Sequence, residues 1–451
     1  MFDYTIDKNK QLTIYEIQEI INNFELTQKP ILTKWKNYYD GKQDILLKTD
    51  SGTGKPNNKL VVNYCNNIAD NYSGYMAGIP VSYSSKNNSF EEVQQILNYN
   101  DVKAEDSDLL TNALIYGKSF EIMYLDEDIQ TRFALLNSAE CIPVYSNTVN
   151  GDLLYLIRYY PQNQISYDYK QIKYNIDVYD SNYITHYIAD NQLGSMQFIG
   201  SEQHYFGQVP IIVLNLNNDR TSIFDKIMTL QDAYNLALSD TINDWDSFCD
   251  AYMVLKGGEM SEEDLALLKE KRMIRLDGED SVSYLTKQVN DAQIQNILKG
   301  LNDQIHKISA SPDFNDEKFL AASGISMKYK LCSFENVSSK IESNWKKALQ
   351  KRLELICAIL NLTGSDSTWR DIDIRFTRNL PVNLTDSVNA VNQLRGIVSD
   401  KTLLSLLPFI TDPQAELDQV QAEQQNKIDM YGFDTTSTAG GTTAKADNEV
   451  V

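Results

Sequence analysis

Apolar residues near the start of the chain recur at intervals of three and four: Ile17, Ile20, Ile21 and Phe24, then Ile31, Trp35, Tyr38 and Tyr39 beyond Pro30. The first forty residues therefore read as helix up to a stop at Asp40-Gly41. Residues 48–59, KTDSGTGKPNNK, read as an exposed loop. A second helix starts at Asn63 as N-cap, carries Ile68, Tyr72, Tyr75 and Met76, and stops at Gly78 and Pro80; a helical pair follows over about 90–116. From Ser119 to Asn217 the period drops to two through FEIMYL, LLYLIRYY, KYNIDVY, YITHYIA and IIVLNL, with turns such as Asn150-Gly151 between them. This predicts an antiparallel meander, and many of the 27 tyrosines fall in it, where amphipathic rings suit a half-buried sheet.

At Ser222 the period returns to that of a helix. Ile223, Ile227, Leu230, Tyr234, Leu238, Ile242, Trp245 and Phe248 form one apolar stripe on a helix of about 27 residues, roughly 40 Å long. Residues 250–288 read as a compact insert: AYMVLKG as a strand, SEEDLALLKEK as a helix capped by Ser261, and MIRL and VSYLT as strands around Asp277-Gly278. A second stripe, Ile294, Ile297, Leu298, Leu301, Ile305 and Ile308, must run back beside the first, because only a small insert joins them. SASPDFNDEKFLAASG then reads as an ordered loop. Ser323–Leu362 is a long helix with Leu331, Phe334, Val337, Ile341, Trp345, Leu349, Leu353 and Ile356 at helical spacing. WRDIDIRFT, 369–377, is a strand expected to return to the sheet. Residues 384–430 are helical with breaks at Pro408 and Pro413, and the tail is composed like a disordered end.

Composition narrows this α+β reading. With 42% hydrophobic and 23% charged residues among 451, the chain is globular and long enough for several cores. The net charge of −21 argues against a protein that coats nucleic acid, although not against a surface that DNA slides past. The long helix is the basic exception. Lys328, Lys330, Lys340, Lys346, Lys347, Lys351 and Arg352 outnumber Glu335, Glu342 and Glu354, which fits a solvated face or a face turned to nucleic acid. Cys65, Cys141, Cys249, Cys332 and Cys357 are widely spaced without a CxxC, so buried thiols in a reducing compartment are expected rather than disulfides or zinc. Neither a signal peptide nor 18 consecutive apolar residues occurs, which reads as a soluble intracellular product.

Catalytic patterns are missing. Gly54-Lys55 lacks the flanking residues of a phosphate loop, having Thr49 and Pro56 where Gly and Ser or Thr are needed. No GxSxG, HExxH, GxGxxG or EF-hand pattern occurs, and the three histidines, His186, His204 and His306, lie far apart. Asp240, Asp244, Asp246 and Asp250 cluster, but only Asp240 and Asp244 share a helix face, so a solvated acidic face competes with a metal site.

VVNYCNNIADNYSGYMAGIPVSYSS (61–85), ALIYGKSFEIMYLDED (113–128), FGQVPIIVLNLNNDRTSIFDKIMTLQDAYNLALSDTINDWDSFCDAYMVLKG (206–257) and ASGISMKYKL (322–331) carry a resemblance in order along the chain. Through them the sequence resembles tailed-bacteriophage portal proteins of the siphophage type. The resemblance implies a ring, usually of twelve subunits, at one capsid vertex, through which an ATP-driven terminase pumps double-stranded DNA. It implies a portal fold: a wing at 1–220, a stem helix at 221–249, a clip at 250–288, a second stem helix at 289–311 and a tunnel loop at 311–322. A long helix at 323–364, a wing return strand at 365–383, a crown at 384–431 and the tail at 432–451 complete it. The tunnel loop and its flanks would bring Pro312, Asp313, Phe314, Asn315, Asp316, Lys318, Phe319, Lys328 and Lys330 to the channel. The lysines would make weak phosphate contacts, and the two phenylalanines would pack between subunits or touch DNA. The clip would present Lys256, Glu259, Glu262, Glu263, Lys269, Lys271, Arg272 and Arg275 to the large terminase and later to a head-completion adaptor. Scaffolding and major capsid proteins are further implied partners; no membrane, cofactor or metal is implied, and the site of action is the virion, with assembly in the host cytoplasm. Two alternatives stay open: another head or tail-completion ring protein, and a metal-dependent nuclease or ATPase of the packaging machinery.

Overall fold

The computed structural model describes residues 2–50, 56–85, 90–162, 173–190, 196–249, 252–256, 262, 281–285, 291–314, 324–379, 384–407, 410 and 413–431. The chain divides into two units, Met1–Asn379 and Leu380–Val451. The disordered-tail expectation, the MIRL strand and nearly all of the SEEDLALLKEK helix lie outside the described residues.

The first unit opens with a short strand that helical periodicity did not foresee, β1 (Tyr4–Ile6), before α1 (Ile14–Thr27) and α2 (Lys29–Tyr39). Thr13 closes α1 with a capping box: its hydroxyl accepts from the Glu16 amide at 3.3 Å and its own amide donates to the Glu16 carboxylate at 3.0 Å. A side-chain bond from Lys10, then the two from Thr13, hold that carboxyl at about 2. α3 (Tyr64–Ala77) starts at Asn63 as expected, with the Asn63 side chain accepting from the Asn66 amide. β2 (Ser82–Ser84), α4 (Phe90–Tyr99) and α5 (Val102–Tyr116) follow. α5 ends on Gly117 at φ +75, where any Cβ would stand 2.4 Å from the Arg220 carbonyl oxygen, so the turn requires glycine.

The strands come in sequence as expected but not as one meander. β3 (Lys118–Leu125) pairs with β4 (Thr131–Leu136) and with β10 (Ile211–Asn215) in a three-stranded sheet. β5 (Cys141–Ser146), β6 (Leu153–Pro161), β7 (Tyr174–Tyr179), β8 (Tyr183–Ala189) and β9 (Gln197–Gln203) join β1 in a six-stranded sheet, β1 running parallel to β5. A single turn at Ser138–Glu140 separates the sheets. Strands of both sheets are buried in near-continuous runs, β3 over Lys118–Glu121 and β5 over Cys141–Val144, so their sequences reveal strands but not which sheet each joins. Their faces meet in one core: Phe120, Leu136, Val209 and Ile211 from the small-sheet side pack with Cys141, Leu156 and Tyr179 from the large.

α6 (Met228–Cys249) starts six residues later than the periodicity indicates, after a turn of 3₁₀ helix at Asp225–Ile227. Its buried face also differs from the expected one. The apolar stripe is only partly covered beyond Ile227, with Trp245 65% exposed, while Gln231, Asn235 and Ser239 are fully buried. They form a ladder against the extended segment 58–64. Amides of Tyr64, Val62, Leu60 and Asn58 donate to side-chain oxygens of Gln231 (3.0 Å), Asn235 (2.9 Å), Ser239 (2.9 Å) and Asn243 (2.6 Å). One rung every four helical residues advances about 6 Å, close to the roughly 6.6 Å of two extended residues, which lets the two periods stay in step. α7 (Asp291–Ser309) packs beside α6, and β11 (Tyr252–Lys256) and β12 (Ser281–Leu285) form an antiparallel pair between them in sequence.

α8 (Gly324–Leu362) runs 39 residues and packs on β10 and α4. Its inner stripe repeats every seven residues: Leu331, Ser338, Trp345, Arg352 and Ile359 are all buried. β13 (Asp373–Arg375) does not return to either large sheet. It pairs with β2, Ile374 opposite Tyr83, in a separate two-stranded ribbon. The expectation of buried thiols holds for Cys65, Cys141 and Cys357, whereas Cys332 is exposed. The second unit contains α9 (Leu384–Leu394), α10 (Asp400–Ser405) and α11 (Pro413–Tyr431). Ser399 caps α10, and Lys401 donates to Gln414 across to α11 at 3.0 Å.

Candidate functional site: the junction between α7 and α8

The segment expected to line a channel leaves α7 through a dense set of contacts. Ala310 takes the left-handed conformation at φ +57, which breaks α7 sharply and costs a non-glycine residue on the order of 1 kcal/mol. Side chains from outside the segment hold the reversal. The Tyr72 hydroxyl, on α3, donates to the Ser309 carbonyl at 2.9 Å, and Nδ1–H of His306 donates to the Ser311 carbonyl at 3.0 Å. The Ser311 amide donates to Oγ of Ser309 at 3.3 Å. The His306 ring sits edge-on to Tyr64 at 5.9 Å, and its Nε2 faces the Asp313 carboxylate at 4.0 Å.

Pro312, Asp313 and Phe314 are half-buried. The ring of Phe314 stands edge-on to Phe334 of the same chain's α8, 6.3 Å between centroids, and Phe334 packs in turn on Tyr72 (4.4 Å) and Tyr75 (4.7 Å). Asn315, Asp316, Lys318 and Phe319 lie outside the described residues. Lys328 and Lys330 are exposed near the start of α8. Of the charged residues expected on the clip, Glu262 is exposed and Lys256 has its backbone in β11, opposite Ser281. Glu259, Glu263, Lys269, Lys271, Arg272 and Arg275 lie outside the described residues.

Two charge clusters fix α8. In the lower one, Arg378 binds Glu335 at 2.9 Å and Glu342 at 2.6 Å, while the Tyr75 hydroxyl donates to Glu335 at 2.5 Å. Burial alone would push the Glu335 carboxyl up; the bonds from Arg378 and Tyr75 outweigh it and leave it below the ordinary value. In the upper cluster Arg352 is fully buried, which corrects its assignment to the solvated basic face. Its Nε and Nη2 donate to the two oxygens of Glu121 at 2.8 and 2.6 Å, and its Nη1 binds Asp106. The Tyr83 hydroxyl donates to Asp106 at 2.7 Å, and the guanidinium lies 4.7 Å from the centroid of Phe133. Burial, then the Glu121 charge, raises Glu105 beside this cluster to about 7. Sequence reasoning missed Asp106, Glu121 and Tyr83 altogether; the seven-residue repeat through Leu331, Trp345 and Arg352 was the one signal that the arginine faces inward.

The acidic cluster on α6 is neither bare nor arranged for a cation. Asp240 pairs with Lys48 at 2.8 Å and Asp246 accepts from Asn58 at 2.6 Å. Among the described residues no three His, Cys, Asp or Glu side chains converge in a way that could hold a metal ion, and no helix is long and apolar enough to cross a membrane.

Residues 18–430 match the family model described as phage portal protein, SPP1 Gp6-like. The chain belongs to this family of phage portal proteins. It is 24% identical over 450 residues to the portal protein of Clostridium phage phiCD119, covering 92% of this chain and 96% of that one. To the portal protein of Bacillus phage SPP1 it is 22% identical over 431 residues, covering 91% and 84%. Among solved structures, a chain from the virion of a native gene transfer agent particle aligns over 76% of this chain and 89% of its own, with a TM-score of 0.45 and 12% identity. A chain from the neck of such a particle, computed with C12 symmetry, gives 0.44 and 11%. The portal protein is thus a structural component of a phage virion, of mixed α and β class.

Proposed function

We propose that the portal protein assembles into a ring, of roughly twelve copies, that conducts double-stranded DNA through one capsid vertex during packaging, retention and ejection. The family match over residues 18–430 carries this reading. Within it, residues 1–220 with 365–383 act as wing, α6 and α7 as stem, 250–288 as clip, 311–322 as tunnel loop and 384–431 as crown. The packed α6–α7 pair, with the antiparallel β11–β12 ribbon between the two helices in sequence, supports that division. Charge supports the transport role: twelve copies sum to about −250, so a polyanion is repelled by most of the surface it passes.

Lys318, Lys328 and Lys330 supply weak phosphate contacts at the constriction. Replacing all three by alanine is expected to change packaging yield and flatten its salt dependence in an in vitro packaging assay; an unchanged salt profile contradicts the contacts. The clip docks the large terminase, and afterwards a head-completion adaptor. Deleting 258–284 is expected to spare subunit folding, read by circular dichroism, while abolishing terminase binding; retained binding refutes the assignment.

A further inference from the structure

We infer that Tyr72, His306 and Phe334 are positioning residues that set the direction in which residues 309–314 leave α7, at the start of the proposed tunnel loop. The inference rests on the tunnel-loop reading above and adds to it that the segment's aim is imposed from outside its own sequence.

Three groups act on consecutive points of the chain. Tyr72, fully buried, binds the last carbonyl of α7 at Ser309. Ala310 then reverses the backbone, and the His306 ring, one turn back on α7, binds the carbonyl of Ser311. Phe334, on α8, receives the ring of Phe314 three residues further on. Residues 309–314 are therefore tied to α3, α7 and α8 in turn. Ser309 and Ser311 are 6% and 1% exposed, so these carbonyls have little water to turn to when a bond is lost.

The anchors are themselves fixed. Tyr72 and Tyr75 on α3 both pack on Phe334, and Tyr75 joins the Glu335–Arg378 pair. A left-handed alanine with no such supports would relax, since its conformation is disfavoured for any residue with a Cβ. The bonds from Tyr72 on α3 and His306 on α7 hold it there, so the reversal is maintained by these side chains rather than by a glycine.

The test uses full-length rings in an in vitro packaging reaction with the terminase. Tyr72→Phe and His306→Phe each remove one bond without opening a hole, whereas His306→Asn can restore the Ser311 bond, because its amide nitrogen stands near the place of Nδ1. The expected result is that Tyr72→Phe and His306→Phe slow packaging by roughly fivefold, the factor that about 1 kcal/mol of one lost hydrogen bond corresponds to. His306→Asn recovers the rate, and ring mass stays unchanged in all three. Rates equal to wild type in both phenylalanine variants overturn the inference, as does a loss that His306→Asn fails to recover. A deletion of 315–320 separates the two levels. If it slows packaging while the phenylalanine variants do not, the positioning role alone fails; if it has no effect, the tunnel-loop reading itself fails.

Discussion

α6 and α8 each bury polar side chains along one face, and they do so by opposite means. α6 buries amides and a hydroxyl, Gln231, Asn235 and Ser239, which accept from alternate main-chain amides of an extended segment. α8 buries a full charge, Arg352, between two carboxylates from different elements. The neutral ladder spreads its stabilisation over many modest bonds, so no single rung governs the contact. The ionic cluster concentrates it: with both carboxylates nearly free of solvent, each relies on the one guanidinium for its counter-charge. The first kind of contact tolerates a lost rung, and the second does not tolerate a lost partner.

The strongest way to break the comparison is Arg352→Ala, which leaves Asp106 and Glu121 buried without their cation. The expected cost is about 3–5 kcal/mol in urea unfolding. Combining Arg352→Met with Asp106→Asn and Glu121→Gln is expected to recover most of it, because no bare charge then remains. Asn235→Ala tests the ladder. It strands the Val62 amide and the buried Gln43 side-chain oxygen, and is expected to cost about 1–3 kcal/mol by the same measurement. An Asn235 effect as large as that of Arg352 would erase the distinction between the two faces.

The smallest effect is pH-dependent. Glu105 stands near 7 when folded against an ordinary 4.5, raised by burial and then by the Glu121 charge, so the folded state holds its proton more tightly than the unfolded. Stability from this residue is present in acid and declines as pH rises from the ordinary carboxyl value to about 7, then levels off. Glu105→Gln is expected to unfold at a higher temperature than wild type at pH 8, with the difference vanishing by about pH 4. Equal melting temperatures at pH 8 would show that the carboxylate is solvated after all.

Helices with apolar repeats were legible in the sequence: α3, α7 and α8 begin within a residue or two of the places their caps and periods indicate. The partition of strands into two sheets was not legible, because β3 and β5 are both buried along most of their length and their sequences do not name their partners. The buried face of α6 was misread for a related reason. Gln231, Asn235 and Ser239 at four-residue spacing look like a solvent face until a strand with unpaired amides is laid on them. The segment at 311–322 was singled out by resemblance alone, and the side chains that hold its start were hidden. Tyr72 and Ser309 are 237 residues apart, and nothing local marks either as the partner of the other.

The most direct test of the central claim is the mass of the purified protein by light scattering after size exclusion, repeated with the cognate scaffolding protein present. The account predicts a closed species at roughly twelve times 51.4 kDa. A protein that stays at 51.4 kDa at every concentration, with scaffold as without it, would contradict the ring and with it the conduit.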